Sequence, residues 1–266
     1  MRGLLKVSEA QSAGAKITIA GNQGVGKTTL AALFPNPIVI QIEDGLRSIS
    51  ESDAMATPKI KTSAAVNQWL DRLATEDHDR RTVILDTVSE LDSMIEDEIL
   101  TETKADSLAQ AYGGYGAGLR VAADRMRAVH GRASKLASER GMIVIAVAHT
   151  AIKQISPEDG TPHDVLTLRL NTRSIYPWID QVDMVAVLRL VREMQQAGDK
   201  REIAVSGGAR EIICHANVAS VAKNRYGVTD IIPVPEGQNP LLEIISGNIV
   251  APAEKPGQQE QREEDF

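Results

Sequence analysis

The sequence predicts an α/β fold: a mainly parallel central sheet with helices on both faces and an antiparallel extension along one edge. Three observations carry that expectation. Short β-branched runs alternate with stretches of helical periodicity between residues 16 and 148, the rhythm of βαβ crossovers. The strand-like runs, such as Val83-Ile84-Leu85 and Ile143-Val144-Ile145-Ala146-Val147, are continuously apolar, as strands covered on both faces must be. Of the 266 residues 42% are hydrophobic, yet only two Trp, four Tyr and two Phe are aromatic, so Ala, Val, Ile and Leu must fill the interior.

Residues 1–14 are mixed polar and small and read as a frayed lead-in to a folded domain over 15–250. The first strand is Lys16–Ala20. A Gly-rich turn follows, then a helix from Lys27 to Phe34 that Pro35 and Pro37 stop, since proline lacks the N–H a helix needs. A β-branched strand returns at Ile38–Ile42. Val66, Leu70 and Leu73 space a helix between 64 and 74, and Thr82–Leu85 is a short strand ending in Asp86. Helical periods resume at 88–103 and 117–139, and the next buried strand is Met142–Ala148. After His149 the rhythm breaks: a turn-rich loop with Pro157, Asp159-Gly160 and Pro162 leads to 165–170 and a short helix at 174–181. Strand-like stretches at 184–190, 201–206 and 211–216, separated by Gly198-Asp199 and Gly207-Gly208, read as a meander on the sheet edge, the antiparallel extension after residue 183. Residues 251–266 are Pro-, Gln- and Glu-rich with almost no apolar content, a disordered acidic tail on composition.

The lone cysteine, Cys214, cannot make an internal disulfide or by itself a thiolate zinc site, which excludes the disulfide-scaffold class and points to a cytoplasmic setting. Beside Ile212 and Ile213 it reads as a small buried hydrophobe. No apolar run approaches the roughly 20 residues of a membrane span, and the N-terminus lacks a signal-peptide core, so no membrane partner is expected. The formal charge is −7, of which the tail supplies five acids against two bases. Basic clusters stand within this acidic total: 119–140 has six Lys/Arg against two Asp/Glu, and 189–225 has seven against four. A polyanionic partner fits those clusters, and so does an ordinary solvated helix face.

The strongest local signal is Gly21-Asn22-Gln23-Gly24-Val25-Gly26-Lys27-Thr28-Thr29, a complete G-x-x-x-x-G-K-[ST] directly after a strand and before a helix. Such a loop curls successive N–H groups around phosphate oxygens; its Lys, here Lys27, reaches the β/γ-phosphates and its hydroxyl, here Thr28, ligates Mg²⁺. The magnesium needs an acid at the end of a neighbouring apolar strand, and Val83-Ile84-Leu85-Asp86 supplies one, although Asp86, Thr87 or Ser89 could equally cap the following helix. A water-activating base is also required. Glu43, ending the second strand, is the candidate and Asp44 its rival. At the end of the last central strand His149 is placed to sense a γ-phosphate and to pass its presence to the loop 150–164, and a structural role would place it equally well. Tyr112 and Tyr115, in Tyr112-Gly113-Gly114-Tyr115-Gly116 and just ahead of the basic run that includes Arg120 and Arg125, suit base stacking with phosphate neutralisation; packing against the helix is the alternative. Lys153, Arg169 and Arg173 flank the post-sensor loop as further DNA-contact candidates.

Together these residues resemble the RecA-like P-loop NTPase core, in which a strand-end Glu, a strand-end Asp and a polar sensor before a mobile loop occur in this order. Lys223-Asn224-Arg225-Tyr226-Gly227 resembles the KNRFG motif of RadA-type proteins, with Tyr for Phe, and the Lys-x-Arg pair that RecA-fold ring and filament ATPases insert into a neighbour's site. The resemblance spans residues 14–245. The compact size is similar to that of phage nucleotide-binding ATPases, which include Sak-type single-strand annealing proteins. The chain departs from RecA in carrying His149 where Gln is usual and in lacking an evident polymerisation element in 1–14. The resemblance implies ATP and Mg²⁺ as cofactors, ATP hydrolysis, a homo-oligomer with Lys223 and Arg225 acting on the adjacent subunit, and single-stranded DNA as partner in phage recombination. A helicase or branch-migration motor, and a nucleotide-switched loader of another protein, fit the same residues. The ending Glu263-Glu264-Asp265-Phe266 is similar to acidic tails that dock partner proteins or compete with DNA.

Overall fold

Strand β1 (Lys16–Gly21) is buried on both faces because it lies mid-sheet, and the glycine-rich loop after it opens helix α1 (Lys27–Ala32). In this computed structural model the described residues are 14–247 apart from 51, 157–159, 192, 197–201, 206–207 and 216–219. The lead-in before Gly14, the tail with its Glu263–Phe266 ending, and the turn signals Pro157, Asp159, Gly198-Asp199 and Gly207 lie outside the described residues.

The chain continues through β2 (Pro37–Gln41), the two-residue β3 (Met55–Ala56), α2 (Ser63–Thr75), β4 (Thr82–Asp86), α3 (Val88–Thr103) and the long α4 (Ala117–Arg140). Thr62 and Thr87 cap α2 and α3, their hydroxyls accepting from the N–H groups of Ala65 and Glu90. Asp86 is therefore not the cap of α3. Helix α4 ends at Gly141, whose φ of 63° provides the left-handed exit into the next strand. There follow β5 (Ile143–Ile155), β6 (His163–Leu168), α5 (Tyr176–Asp180), β7 (Met184–Leu190), β8 (Glu193–Gln196), β9 (Glu202–Val205), β10 (Arg210–Ile213), β11 (Lys223–Asn224), β12 (Ile232–Val234) and α6 (Pro240–Ile245).

The sheet order is β12-β10-β7-β1-β5-β4-β2-β3. The six strands from β7 to β3 are parallel, as expected for βαβ crossovers. One apolar cluster joins this sheet to α2, α3, α4 and α5 on one face, and a second joins it to α1 and α6 on the other. Cys214 is buried in the second cluster, and burial pushes its thiol up to about 11.

Two expectations are corrected. Residues 184–190 are no edge meander: β7 pairs in parallel with β1, so the antiparallel extension starts only at β10, and β8 with β9 forms a separate two-stranded sheet. Periodicity could not reveal this, because pairing direction depends on which strand a segment meets. The expected loop 150–164 is largely a β-hairpin, in which β5 runs on to Ile155 and Thr150–Ile155 pairs antiparallel with His163–Leu168. Inside the sheet β5 is buried between β1 and β4; beyond His149 only β6 pairs it, and Ile152 through Ile155 become exposed. No helix of the described residues is long and apolar enough to cross a membrane.

Candidate active site

Strand register brings the site together. Gly21 stands opposite His149, Val147 opposite Asp86, and Asp86 opposite Gln41, so the carboxyl ends of β1, β5, β4 and β2 form one edge. The N–H groups of Ile42 and Glu43 both donate to the Asp86 carbonyl, which pins the turn carrying Glu43 against the end of β4.

Lys27 is 5% exposed at the start of α1. Its Nζ donates to the Asn22 carbonyl at 2.9 Å and lies 3.4 Å from His149 Nδ1. Since an ammonium only donates, Nδ1 accepts and the imidazole proton belongs on Nε2, which donates to Glu43 Oε2 at 2.9 Å. Burial lowers the Lys27 pKa, the charges of Asp86 and Glu43 work to raise it, and Arg169 works to lower it. Thr28 Oγ1 donates to Asp86 Oδ2 at 3.0 Å. Burial pushes the Asp86 carboxyl up to about 6, against the Thr28 hydrogen bond and the Lys27 charge and with the Glu43 charge.

Glu43 is held twice on one oxygen, by His149 and by the Thr87 hydroxyl at 3.1 Å, leaving Oε1 without a protein partner among the described residues. Asp44 is a different kind of acid: 76% exposed and paired with Lys59 on the surface. The backbone N–H of His149 donates to Ser89 Oγ, and Thr150 Oγ1 donates to Asn22 Oδ1, tying the phosphate loop to the root of the hairpin. The hairpin's return is anchored too, by Arg169 N–H on the His149 carbonyl and Asn171 N–H on Asp92 Oδ2.

These residues fit a magnesium nucleotide. Gly24 and Gly26 have φ of 76° and 94°, and a Cβ on Gly24 would meet nothing within 4 Å, so the loop offers bare backbone. Among the described residues the hydrogen bonds of the buried Lys27 ammonium go only to neutral atoms, a shortfall an anionic ligand would make good. Thr28 with Asp86 gives one hydroxyl and one carboxylate, the sparse set of a magnesium that keeps its waters.

The remaining candidates are scattered. Tyr112 donates to Glu102, and Arg125 binds Glu98 and Glu102, so both are engaged within the chain. Tyr115, Arg120, Lys153, Arg169 and Arg173 are exposed. Lys223 donates to the carbonyls of Ile179 and Asp180 at the end of α5, and Arg225 to Asp183 Oδ1 at 2.9 Å while its side chain stays 58% exposed. Asn224 locks this turn through four bonds, donating to the Cys214 and Val228 carbonyls and accepting from the Tyr226 and Val228 N–H groups. Thr87 and Ser89 carried no sequence signal beyond capping. Their contacts to Glu43 and His149 exist only because three strands end together.

A phosphate loop at the end of β1, an acid on β4 two strands away and a polar residue on the β5 between them define the class: a P-loop nucleotide-binding domain of the ATPase type. A family model described as an AAA domain matches residues 13–226, and the chain belongs to that family. No curated protein matches the chain.

Proposed function

We propose that the chain is a magnesium-dependent ATPase that binds single-stranded DNA, works as a homo-oligomer and serves phage-type DNA recombination by annealing or strand pairing. The observation that carries the hydrolytic part is the hydrogen-bonded line from Lys27 through His149 to Glu43, whose Oε1 has no partner among the described residues. Magnesium, when bound, neutralises phosphate charge. Thr28 and Asp86 hold the ion's shell, Lys27 follows the phosphates, and Glu43 Oε1 takes the proton of a water positioned beside them.

His149 is the last sheet-embedded residue before the β5–β6 hairpin, so a change at its imidazole is mechanically joined to that hairpin. The hairpin carries exposed Lys153, with Arg169 at its foot and Arg173 beyond, groups suited to a phosphate backbone. Tyr115 and Arg120 extend the same reading. Oligomerisation is supported by placement: β11 pairs with Met184 and Val185, which lie level with Ile17 and Thr18 of β1. Four strand residues, roughly 13 Å, then separate the Lys223/Arg225 turn from its own phosphate loop. The acidic tail is proposed to dock a protein partner.

The test is turnover of ATP with Mg²⁺, with and without oligo(dT), across a salt series. Stimulation by oligo(dT) that fades with salt is expected; turnover indifferent to DNA would remove the nucleic-acid part and favour a switch acting on a protein.

A further inference from the structure

Arg210 opens β10, where it pairs with Leu190 on one side and Val234 on the other. It lies two residues before Ile212, hence on the same face of the sheet, and Ile212 packs in the cluster with Val25 and Leu30 of the phosphate loop and α1. The side chain consequently runs toward the loop. Its Nη1 stands 2.5 Å from where a Cβ on Gly26 would be. The guanidinium has no hydrogen-bond or ion-pair partner among the described residues, whereas Arg189, on the adjacent strand, is satisfied by Glu211.

A half-buried guanidinium laid against a phosphate-binding loop, with no carboxylate among the described residues to meet it, is a group waiting for an anion. Which anion follows from strand order. Glu43, Asp86 and His149 approach from β2, β4 and β5, all on one side of β1; Arg210 approaches from β10, across β7 on the other side. A phosphate chain with its terminal phosphate beside Glu43 and Asp86 therefore extends its inner phosphates toward Arg210. We propose that Arg210 is a second phosphate-binding cation, supplied within the same subunit by the antiparallel extension, that grips the α/β-phosphate end of a nucleoside di- or triphosphate. This rests on the nucleotide-binding reading of the phosphate loop and adds a residue to it.

A cation on the inner phosphates serves ADP and ATP alike and changes little as the terminal bond breaks. Binding of fluorescent ADP and ATP analogues with Mg²⁺, together with saturating turnover, should be measured for the parent chain, Arg210→Met, Arg210→Lys and Lys27→Ala. Methionine keeps the stem's packing, so a folded β10 is retained, and equal melting temperatures check it. Arg210→Met should weaken both nucleotides by a common factor of about 10, with kcat changed less than about twofold, and Arg210→Lys should recover part of the loss. Unchanged affinity in Arg210→Met overturns the proposal. So does a loss confined to ATP, or a fall in kcat at unchanged affinity, either of which would move Arg210 to the terminal phosphate. A parent chain that binds neither nucleotide removes the phosphate-loop reading itself. Binding lost in Lys27→Ala but intact in Arg210→Met leaves that reading standing and sinks only this one.

Discussion

Glu43 and Asp44 are adjacent acids of the same charge, and the pinned turn after β2 sends them to different environments. The Asp86 carbonyl holds the Glu43 N–H, so the Glu43 side chain falls between Thr87 and His149, while Asp44 turns outward to Lys59. A surface ion pair is worth about 0–1 kcal/mol and has no link to the phosphate site. Glu43→Gln should accordingly keep nucleotide affinity and cut steady-state hydrolysis by about 10²-fold or more, because an amide cannot take the proton. Asp44→Asn should leave turnover within about twofold. Both rates come from one phosphate-release assay, and the reverse ranking would give the base to Asp44.

At the scale of the element, α4 shows what burial does to a polar group within a helix. His130 lies on the face of α4 that meets α5, its ring edge-on to Trp178 at 5.1 Å and 85°, with Nε2 lacking a hydrogen bond among the described residues. Burial, helped by the Lys16 charge, drives its pKa down from 6.5 to about 4. Between those two values the unfolded chain binds a proton that the folded chain refuses, so stability falls as pH drops through that window, by up to about 3 kcal/mol. Above it the contribution is complete. His130→Leu should lose less stability than the parent between about pH 7 and about pH 4.5 in urea titrations, since leucine has no proton to bind. Parallel losses in the two proteins would show that other groups govern acid unfolding.

For the whole molecule, the decisive relation is between the two edges of the sheet. The phosphate loop opens at the carboxyl edge, and the Lys223/Arg225 turn sits against the first residues of β7 at the other. If Arg225 serves a neighbour's phosphates, it must exchange Asp183, a partner it meets with most of its side chain in solvent. An inserted arginine is worth about 10³-fold in other phosphoryl transfers. Specific ATPase activity should then rise with protein concentration, and Arg225→Ala mixed with Lys27→Ala should regain turnover that neither has alone, because mixed interfaces join an intact loop to an intact arginine. A rate per subunit independent of concentration, with no rescue on mixing, would assign Arg225 to Asp183 alone.

The sequence by itself determined the α/β class, the phosphate loop with its Lys27, and the placing of Asp86 beside Thr28. Each follows from local rules: glycine spacing, apolar runs of strand length, and polar residues where such runs end. The start of α3 was narrowed to Asp86, Thr87 or Ser89 for the same reason, since capping is decided within a few residues, and the structure selects Thr87. Tertiary structure alone decided that β7 joins the parallel sheet, that residues beyond His149 continue as a hairpin, and that Thr87, Ser89 and Arg210 reach the site. Those outcomes depend on which strands become neighbours and in what register. Pairing is a contact between segments distant in the chain, and neither periodicity nor spacing within one segment encodes its partner.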